Sequence, residues 1–314
     1  MSIQVTRENF VRAETDRYVT SLLAQAGGLN QWHHQRAVAS VDAQTVIRMN
    51  RDTLYSFAVV DLTGGAVVTL PDGGDRYVSV MVVNQDHYIN EVLHDPGRHE
   101  LTLERFETPY VVLAARVLVD ASDPDDLVAA AAVQDGLGLE AASARPFVPT
   151  DYDGASLDAV RTELLALAGQ SLGAGRVFGR REDVDPDRHL VGTAAGWGGL
   201  PDSEARYLPG QMDLPVGEYR LTVRDVPVDA FWSISVYDAQ GYFEPNDRGA
   251  YNVNSVSGTK DPDGSMTIHF GGCDDGRVNC LPIPEGWNYL VRLYRPRQEI
   301  ADGSYTFPTP ERID

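Results

Sequence analysis

Between Ser56 and Asp120 the chain carries four runs of β-forming residues, SFAVVDL, AVVTL, RYVSVMVVNQD and YVVLAARVLVD, cut apart by Gly-Gly, Pro-Asp-Gly-Gly and Asp-Pro-Gly. Each cut supplies a residue with the backbone freedom, or the fixed φ, that a tight reversal needs. Short runs joined by hairpin-type turns argue against βαβ units and predict antiparallel strands in a sandwich or a barrel.

The pattern changes on either side. From Thr6 to Ala26, the residues Val11, Thr15, Tyr18, Val19, Leu22 and Ala26 recur at helical spacing, with Thr6 as N-cap and Gly27-Gly28 as the stop. In the middle, Ser122-Asp123-Pro124 opens a helix through DDLVAAAAVQDGL, and Ser156 opens another through LDAVRTELLALAG. From about Arg188 the β signals return in GEYRLTVRDV, AFWSISVYD, SMTIHF and NYLVRLYRP. The order β, α, β over 314 residues predicts an α+β, β-rich chain of two domains, 1–187 and 188–314.

Charge narrows the partners. A formal net charge of −20 repels phosphate backbones and anionic lipid headgroups, so neither nucleic acid nor a membrane surface is expected as a partner. The N-terminus lacks the apolar core of a secretory signal, and no stretch approaches the roughly 18 apolar residues of a membrane helix, which points to a cytoplasmic protein. Cys273 and Cys280 have six residues between them in CDDGRVNC. That spacing could close a bridged hairpin, but in a reducing compartment the pair is expected as free thiols. No paired His or Cys-x-x-Cys lies nearby to complete a metal site, and no glycine-rich phosphate or dinucleotide fingerprint occurs, so no metal and no cofactor is expected.

Three stretches could carry chemistry. In RMNRDTLYS, a capped turn accounts for Asn50 and Asp52 but leaves Arg48 and Arg51 unexplained beside an apolar strand, and these with Tyr55 make a donor-rich wall suited to a carboxylate or carbonyl. In NQDHYINEVLHD, Asn84 shares a strand face with Asp86, and His87 is the side chain best suited to shuttle a proton near neutral pH. A surface His at a strand end is the plain alternative. In FWSISVYDAQGYFEPNDRGAYNVNS, Trp232, Tyr237, Tyr242 and Tyr251 interleave with Asn246, Asn252 and Asn254. Such rings are commonly core, but buried amides need partners, and the mixture fits a pocket for a small organic ligand. GWGGLP reads as a tight loop, and no Gly-x-Ser-x-Gly elbow exists for a serine nucleophile.

RMNRDTLYS, PVDAFWSISVYDAQGYFEPNDRGAYNVNS, DGSMTIHFGG and CLPIPEGWNYLVRLYRPRQEIADGSYTFP resemble two bacterial domains of unknown function that occur as a pair, twelve-fifty-four at the N-terminus and twelve-fourteen at the C-terminus. The resemblance implies two antiparallel β-sandwich-like domains with an N-terminal helix and a helical middle segment. It implies no particular activity.

These readings support two functions. One is a cofactor-independent enzyme of hydrolase or lyase type, with Asn50, Arg51 and Asn84 orienting a small organic substrate, Asp52 or His87 moving protons, and Tyr55 or Tyr237 donating to a developing oxyanion. The other is a non-catalytic module for a small or sugar-like ligand, with Trp232, Tyr242 and Tyr251 stacking on it and Asn246 nearby. Open sandwich edges also allow a homodimer.

Overall fold

The computed structural model describes residues 2–44, 47–168, 175–210 and 214–313. The chain divides into two compact units, one made of Met1–Arg36 and Thr53–Asp202, the other of Ala37–Asp52 and Ser203–Asp314. A single cut at 187/188 therefore misses two things. The helix that follows residue 185 stays with the first unit, and sixteen residues before Thr53 belong to the second.

The first unit opens with helix α1, Phe10–Ala26. Its N-cap is Asn9, three residues after the expected Thr6, and Asn9 Oδ1 accepts the Thr6 N–H at 2.8 Å, holding the preceding turn outside the helix. Gly27 at φ +75° ends it in the left-handed conformation that glycine adopts most cheaply. Strands β1 (His33–His34), β2 (Thr53–Asp61), β3 (Ala66–Leu70), β4 (Val78–Asn84), β5 (Ile89–Leu93) and β6 (Gly97–Leu101) follow, then the one-turn helix α2 (Leu103–Phe106), β7 (Tyr110–Leu118), α3 (Pro124–Asp135), β8 (Gly138–Ala141) and α4 (Gly154–Leu165). Two antiparallel sheets form, in the orders β1-β2-β7-β4-β5 and β6-β3-β8.

Ala58 and Val60 of β2, Val80 and Val82 of β4, and Leu113 and Ala115 of β7 meet Val68, Leu70 and Leu101 from the smaller sheet in one apolar core. The alternate residues Val59, Met81, Val112 and Ala114 are buried as well, on the face against which α1 packs. A sheet covered on both sides needs apolar residues at nearly every position, which is why YVVLAARVL does not alternate.

The helices have local causes. Asp123 caps α3 by accepting the Asp125 N–H, with Pro124 at the first helical position. Asp153, not Ser156, caps α4, accepting the Ser156 N–H at 2.8 Å; the last residue of LDAVRTELLALAG, Gly169, lies outside the described residues. A helix unforeseen in the sequence, α5 (Pro186–Gly196), replaces the β signal expected from Arg188. Asp185 caps it and Pro186 starts it, the same Asp-Pro device as at α3.

The second unit holds β9 (Ala205–Pro209), β10 (Tyr219–Val223), β11 (Trp232–Tyr237), β12 (Asn252–Asn254), β13 (Met266–Phe270), β14 (Cys280–Leu281), β15 (Asn288–Tyr294), the short helix α6 (Gln298–Ala301) and β16 (Glu311–Arg312). The sheets run β14-β13-β10-β16 and β12-β11-β15-β9, antiparallel throughout except for the β13–β14 pair. Leu221, Ile268 and Phe270 from one sheet and Trp232, Ile234, Val291 and Leu293 from the other fill the space between them. Both units are thus sandwiches within an α+β chain.

Cys273 and Cys280 are joined by a disulfide, in place of the free thiols expected for a reducing compartment. The bridge closes a loop of seven residues' separation beside the two-residue strand β14. Closing so short a loop removes unfolded-state entropy corresponding to about 2–3 kcal/mol. The unreduced chain unfolded in guanidinium is therefore expected to show no reactive thiol to Ellman's reagent, and reduction should lower stability by about that amount. Two titratable thiols before reduction would contradict the pairing.

Candidate functional site

Strand β11 sorts its side chains by parity. Trp232, Ile234 and Val236 enter the sandwich core, so Ser233, Ser235 and Tyr237 emerge on the opposite face. On β15, Val291 and Leu293 point to the core and Arg292 and Tyr294 point out beside them, with Ser233 directly opposite Arg292. On β12, Asn254 pairs with Ser233 and Asn252 with Ser235. The outer face of a sandwich sheet is ordinarily wet. Here Ser233, Ser235 and Tyr237 have no exposed surface, and Arg292 is 3% exposed.

The segment 37–52 bonds to that face. The Asp52 carboxylate accepts the Ser233 hydroxyl at 2.6 Å through Oδ2 and the Asn252 amide at 2.7 Å through Oδ1. Arg292 donates to Ser235 Oγ at 2.9 Å, to Tyr237 Oη at 2.8 Å and to the carbonyls of Arg48 and Met49 at 2.8 and 3.2 Å. Tyr237 donates its own hydroxyl hydrogen bond to the Met49 carbonyl at 2.9 Å. Asn50 donates to Tyr294 Oη at 3.2 Å and accepts the Asp52 N–H at 2.9 Å. Farther along, Gln44 makes a two-way bond with the Phe243 backbone, at 2.7 and 2.8 Å.

Complete burial pushes the Asp52 carboxyl above the usual carboxylate range, against the opposing pull of Arg292, Ser233, Asn252 and Asn254. Burial also works against the Arg292 charge, but Tyr237, Tyr294 and Asp52 around it outweigh that and hold the guanidinium protonated.

Two other guanidiniums have a different setting. Arg48, at φ +54°, lies over the Tyr237 ring at 5.8 Å, and its Nη1 is buried without a hydrogen-bond partner. Arg51 lies over Tyr251 at 4.9 Å and Phe243 at 5.9 Å, and donates to the Ala39 carbonyl. The ionisable neighbours acting on Arg48 are Tyr237 and Arg292, and the one acting on Arg51 is Tyr251. Burial lowers both arginines from their ordinary range, and among the described residues no carboxylate is one of the groups that hold them charged. Tyr237, Phe243 and Tyr251 run in series beneath them, at 4.7 and 5.6 Å between ring centres.

The remaining expected residues are placed as follows. Asn246 braces its own loop, accepting the Arg248 and Ala250 N–H groups and donating to the Ala250 carbonyl. The Tyr242 backbone closes a turn onto Asp238. The Trp232 ring is buried on the core side, edge-on to Phe307, across the sheet from Asp52. Tyr55, Asn84 and His87 belong to the first unit. Tyr55 stands opposite Arg116 in the β2–β7 register, under its guanidinium at 5.3 Å. Strand β4 ends at Asn84, whose Oδ1 accepts the Asp86 and Tyr88 N–H groups and so folds the chain into a turn. His87 lies in that turn, fully buried, its Nδ1 at 2.8 Å from Thr193 Oγ1 and its Nε2 accepting the Gly198 N–H at 2.9 Å. It is not a surface histidine. Burial first, and His189 second, press its pKa well below the usual value, so the ring is neutral.

Ser233 and Ser235, expected only as strand residues, and Arg292, for which no role was expected, complete the network. Their signal is present: a serine at every second place in WSISVY, and an arginine inside the apolar run NYLVRLY, mark an outward face that a purely hydrophobic strand would not need. Replacing Arg292 by Leu takes the donor from four acceptors and removes the charge opposing Asp52. The expected loss is about 3–5 kcal/mol in urea unfolding, only partly recovered by Lys, whose single ammonium cannot reproduce the fork. A loss below about 1 kcal/mol would show that the network adds little beyond an ordinary hydrogen bond.

Comparison with known proteins adds the lineage. Residues 29–98 match the model of one protein family of unknown function, DUF1254, and residues 201–298 match that of another, DUF1214. The VPA0106 protein from Vibrio parahaemolyticus is similar in structure, with a TM-score of 0.73 at 17% identity over 98% of each chain. An uncharacterized protein from Burkholderia cenocepacia is also similar, with a TM-score of 0.56 at 14% identity over 98% of this chain and 88% of that one. At such identities the likeness concerns the fold. No curated protein matches in sequence. No helix among the described residues is long and apolar enough to cross a membrane. The chain carries the pair of domains of unknown function, DUF1254 followed by DUF1214, that its sequence motifs resemble.

Proposed function

We propose that the unit formed by Ala37–Asp52 and Ser203–Asp314 binds a small organic anion, of carboxylate type, through Arg48 and Arg51. One observation carries this reading. In a chain with 46 acidic and 26 basic residues, these two half-buried guanidiniums have, among the described residues, no carboxylate in the groups acting on them. A buried donor without a partner costs about 1–3 kcal/mol, and a ligand carboxylate recovers that on binding. Guanidinium geometry suits a planar carboxylate, and the ring series Tyr237, Phe243, Tyr251 supplies apolar surface for an organic body.

An acid/base enzyme built on Asp52, His87, Tyr55 and Tyr237 has less support. Asp52 has both oxygens committed inside the protein, Tyr237 donates to a backbone carbonyl, and the two ring nitrogens of His87 are both hydrogen-bonded. Such groups orient structure well and exchange protons with a substrate poorly. The non-catalytic binding reading therefore stands first.

The test compares benzoate, succinate and inorganic phosphate with the neutral analogues benzamide and succinamide by thermal shift and calorimetry. A carboxylate at a hundred times its dissociation constant is expected to stabilise the protein by about 2.7 kcal/mol. Arg48→Gln and Arg51→Gln should remove that response while the unliganded protein stays folded. Equal responses to the amides, or a response undiminished in the double variant, would refute the anion site.

A further inference from the structure

The first unit contains a column of stacked side chains with His87 at its centre. Trp197 stacks on Tyr18 at 4.6 Å and on His87 at 5.2 Å; His189 stacks on the other face of the series, 5.3 Å from His87 and 4.7 Å from Tyr88. Arg17 lies over Tyr18 at 5.6 Å at one end, and Arg181 over Tyr88 at 4.8 Å at the other. The column ties α1, the β4–β5 turn, α5 and the turn at Trp197-Gly198 together. His87 itself is held at φ +60°, in the left-handed region that a histidine enters at a cost.

The hydrogen bonds specify which nitrogen carries the proton. Thr193 gives its hydroxyl proton to the His189 carbonyl at 2.8 Å, so it can only accept from His87, and Nδ1 is the donor. Nε2 then offers its lone pair, and the Gly198 N–H fills it at 2.9 Å. A second proton on this ring would sit on Nε2 and face the Gly198 N–H, donor against donor. The bond to Gly198 cannot survive it.

We propose that His87 is an acid-operated latch: it holds the Trp197-Gly198 turn closed while neutral and releases it when the ring takes up a proton. The surroundings agree with this assignment. Phe178 meets the ring edge-on at 5.9 Å, and Trp197 covers one face, so neither supplies a counter-charge. His189, on α5, is the nearest titratable group, and its two nitrogens face the carbonyls of Asp86 and Val177 at 3.1 and 3.3 Å. A proton gained there would add a positive charge beside His87 and oppose a second one. The Asp86 carboxylate, on the same turn, is engaged by Arg12 at 2.5 Å with Arg181 at 3.9 Å. From α1 come Thr15, which accepts the Trp197 indole N–H at 3.1 Å, and Tyr18. The Gly198 carbonyl accepts from Arg116 of β7 at 2.9 Å, a contact independent of pH over this range. None of these groups supplies a free counter-charge to a His87 cation.

The sign of the pH effect follows. Burial lowers the folded-state pKa of both His87 and His189, with backbone carbonyls pulling the other way only on His189. The closed form is therefore favoured in full above the ordinary histidine value near 6.5, and the open form gains as pH falls through it. With one proton taken up on opening, the opening equilibrium rises about tenfold per pH unit below that point.

Hydrogen exchange of the Gly198 amide in the full-length protein, followed by NMR at pH 7.5, 6.5, 5.5 and 5.0 and corrected for the intrinsic exchange rate, reads this directly. Protection at Gly198 is expected to drop by about tenfold per unit below pH 6.5, while Leu113 in β7 keeps its protection. His189→Gln should retain the drop and His87→Gln should abolish it. Protection at Gly198 that is flat with pH in the wild-type protein, or a drop that His189→Gln removes, would overturn the assignment; the wild-type measurement decides the first even if His87→Gln does not fold.

Discussion

The carboxylate of Asp52, buried without any exposed surface, sets the conditions for the second unit. An isolated charge in that position would cost far more than folding can supply, so everything near it is arranged as donors: Ser233, Asn252 and Asn254 toward the carboxylate, and Arg292 as the opposing charge. Those donors occupy alternate positions on β11, β12 and β15. The inward positions on the same strands are the apolar core. One face of a single sheet thus builds the sandwich, and the other anchors residues 37–52.

The anchoring determines what Arg48 and Arg51 can do. Arg292 grips the carbonyls of Arg48 and Met49, and Asn50 bonds both the Asp52 N–H and Tyr294, so the backbone from 48 to 52 is held from both sides. Two guanidiniums on a fixed backbone, lying over rings, have lost much of the side-chain entropy that binding would otherwise cost. The buried network thereby fixes the backbone under the proposed anion site, and its own polar groups are committed to that support. This explains why acid/base residues can be abundant in the motif and still be poor candidates for proton transfer.

Much of the fold was legible because local chemistry and tertiary packing agree. The hairpin punctuation, the Asp123-Pro124 cap and the strand runs of the second half each correspond to an element near the expected bounds. Helix α5 stands where β signals were expected to return from Arg188, although Asp185-Pro186 repeats the Asp-Pro signal of Asp123-Pro124. The candidate site was legible in part. Asn50, Arg51, Asp52 and Tyr237 do lie together, but their partner Arg292 is 240 residues from Asp52 in sequence, and pairing across that separation is set by strand register, which spacing cannot reveal. Trp232, expected to stack on a ligand, alternates with Ser233 along β11, and that parity sends its ring to the core.

The account rests on the claim that Asp52 is held to the sheet by specific bonds. A double-mutant cycle of Asp52→Asn and Ser233→Ala, with each stability taken from urea unfolding, measures the coupling across the 2.6 Å contact. The account predicts a coupling of about 1.5–3 kcal/mol, the range for a hydrogen bond to a charged group in a buried setting. Additive losses, with a coupling within about 0.5 kcal/mol of zero, would contradict it.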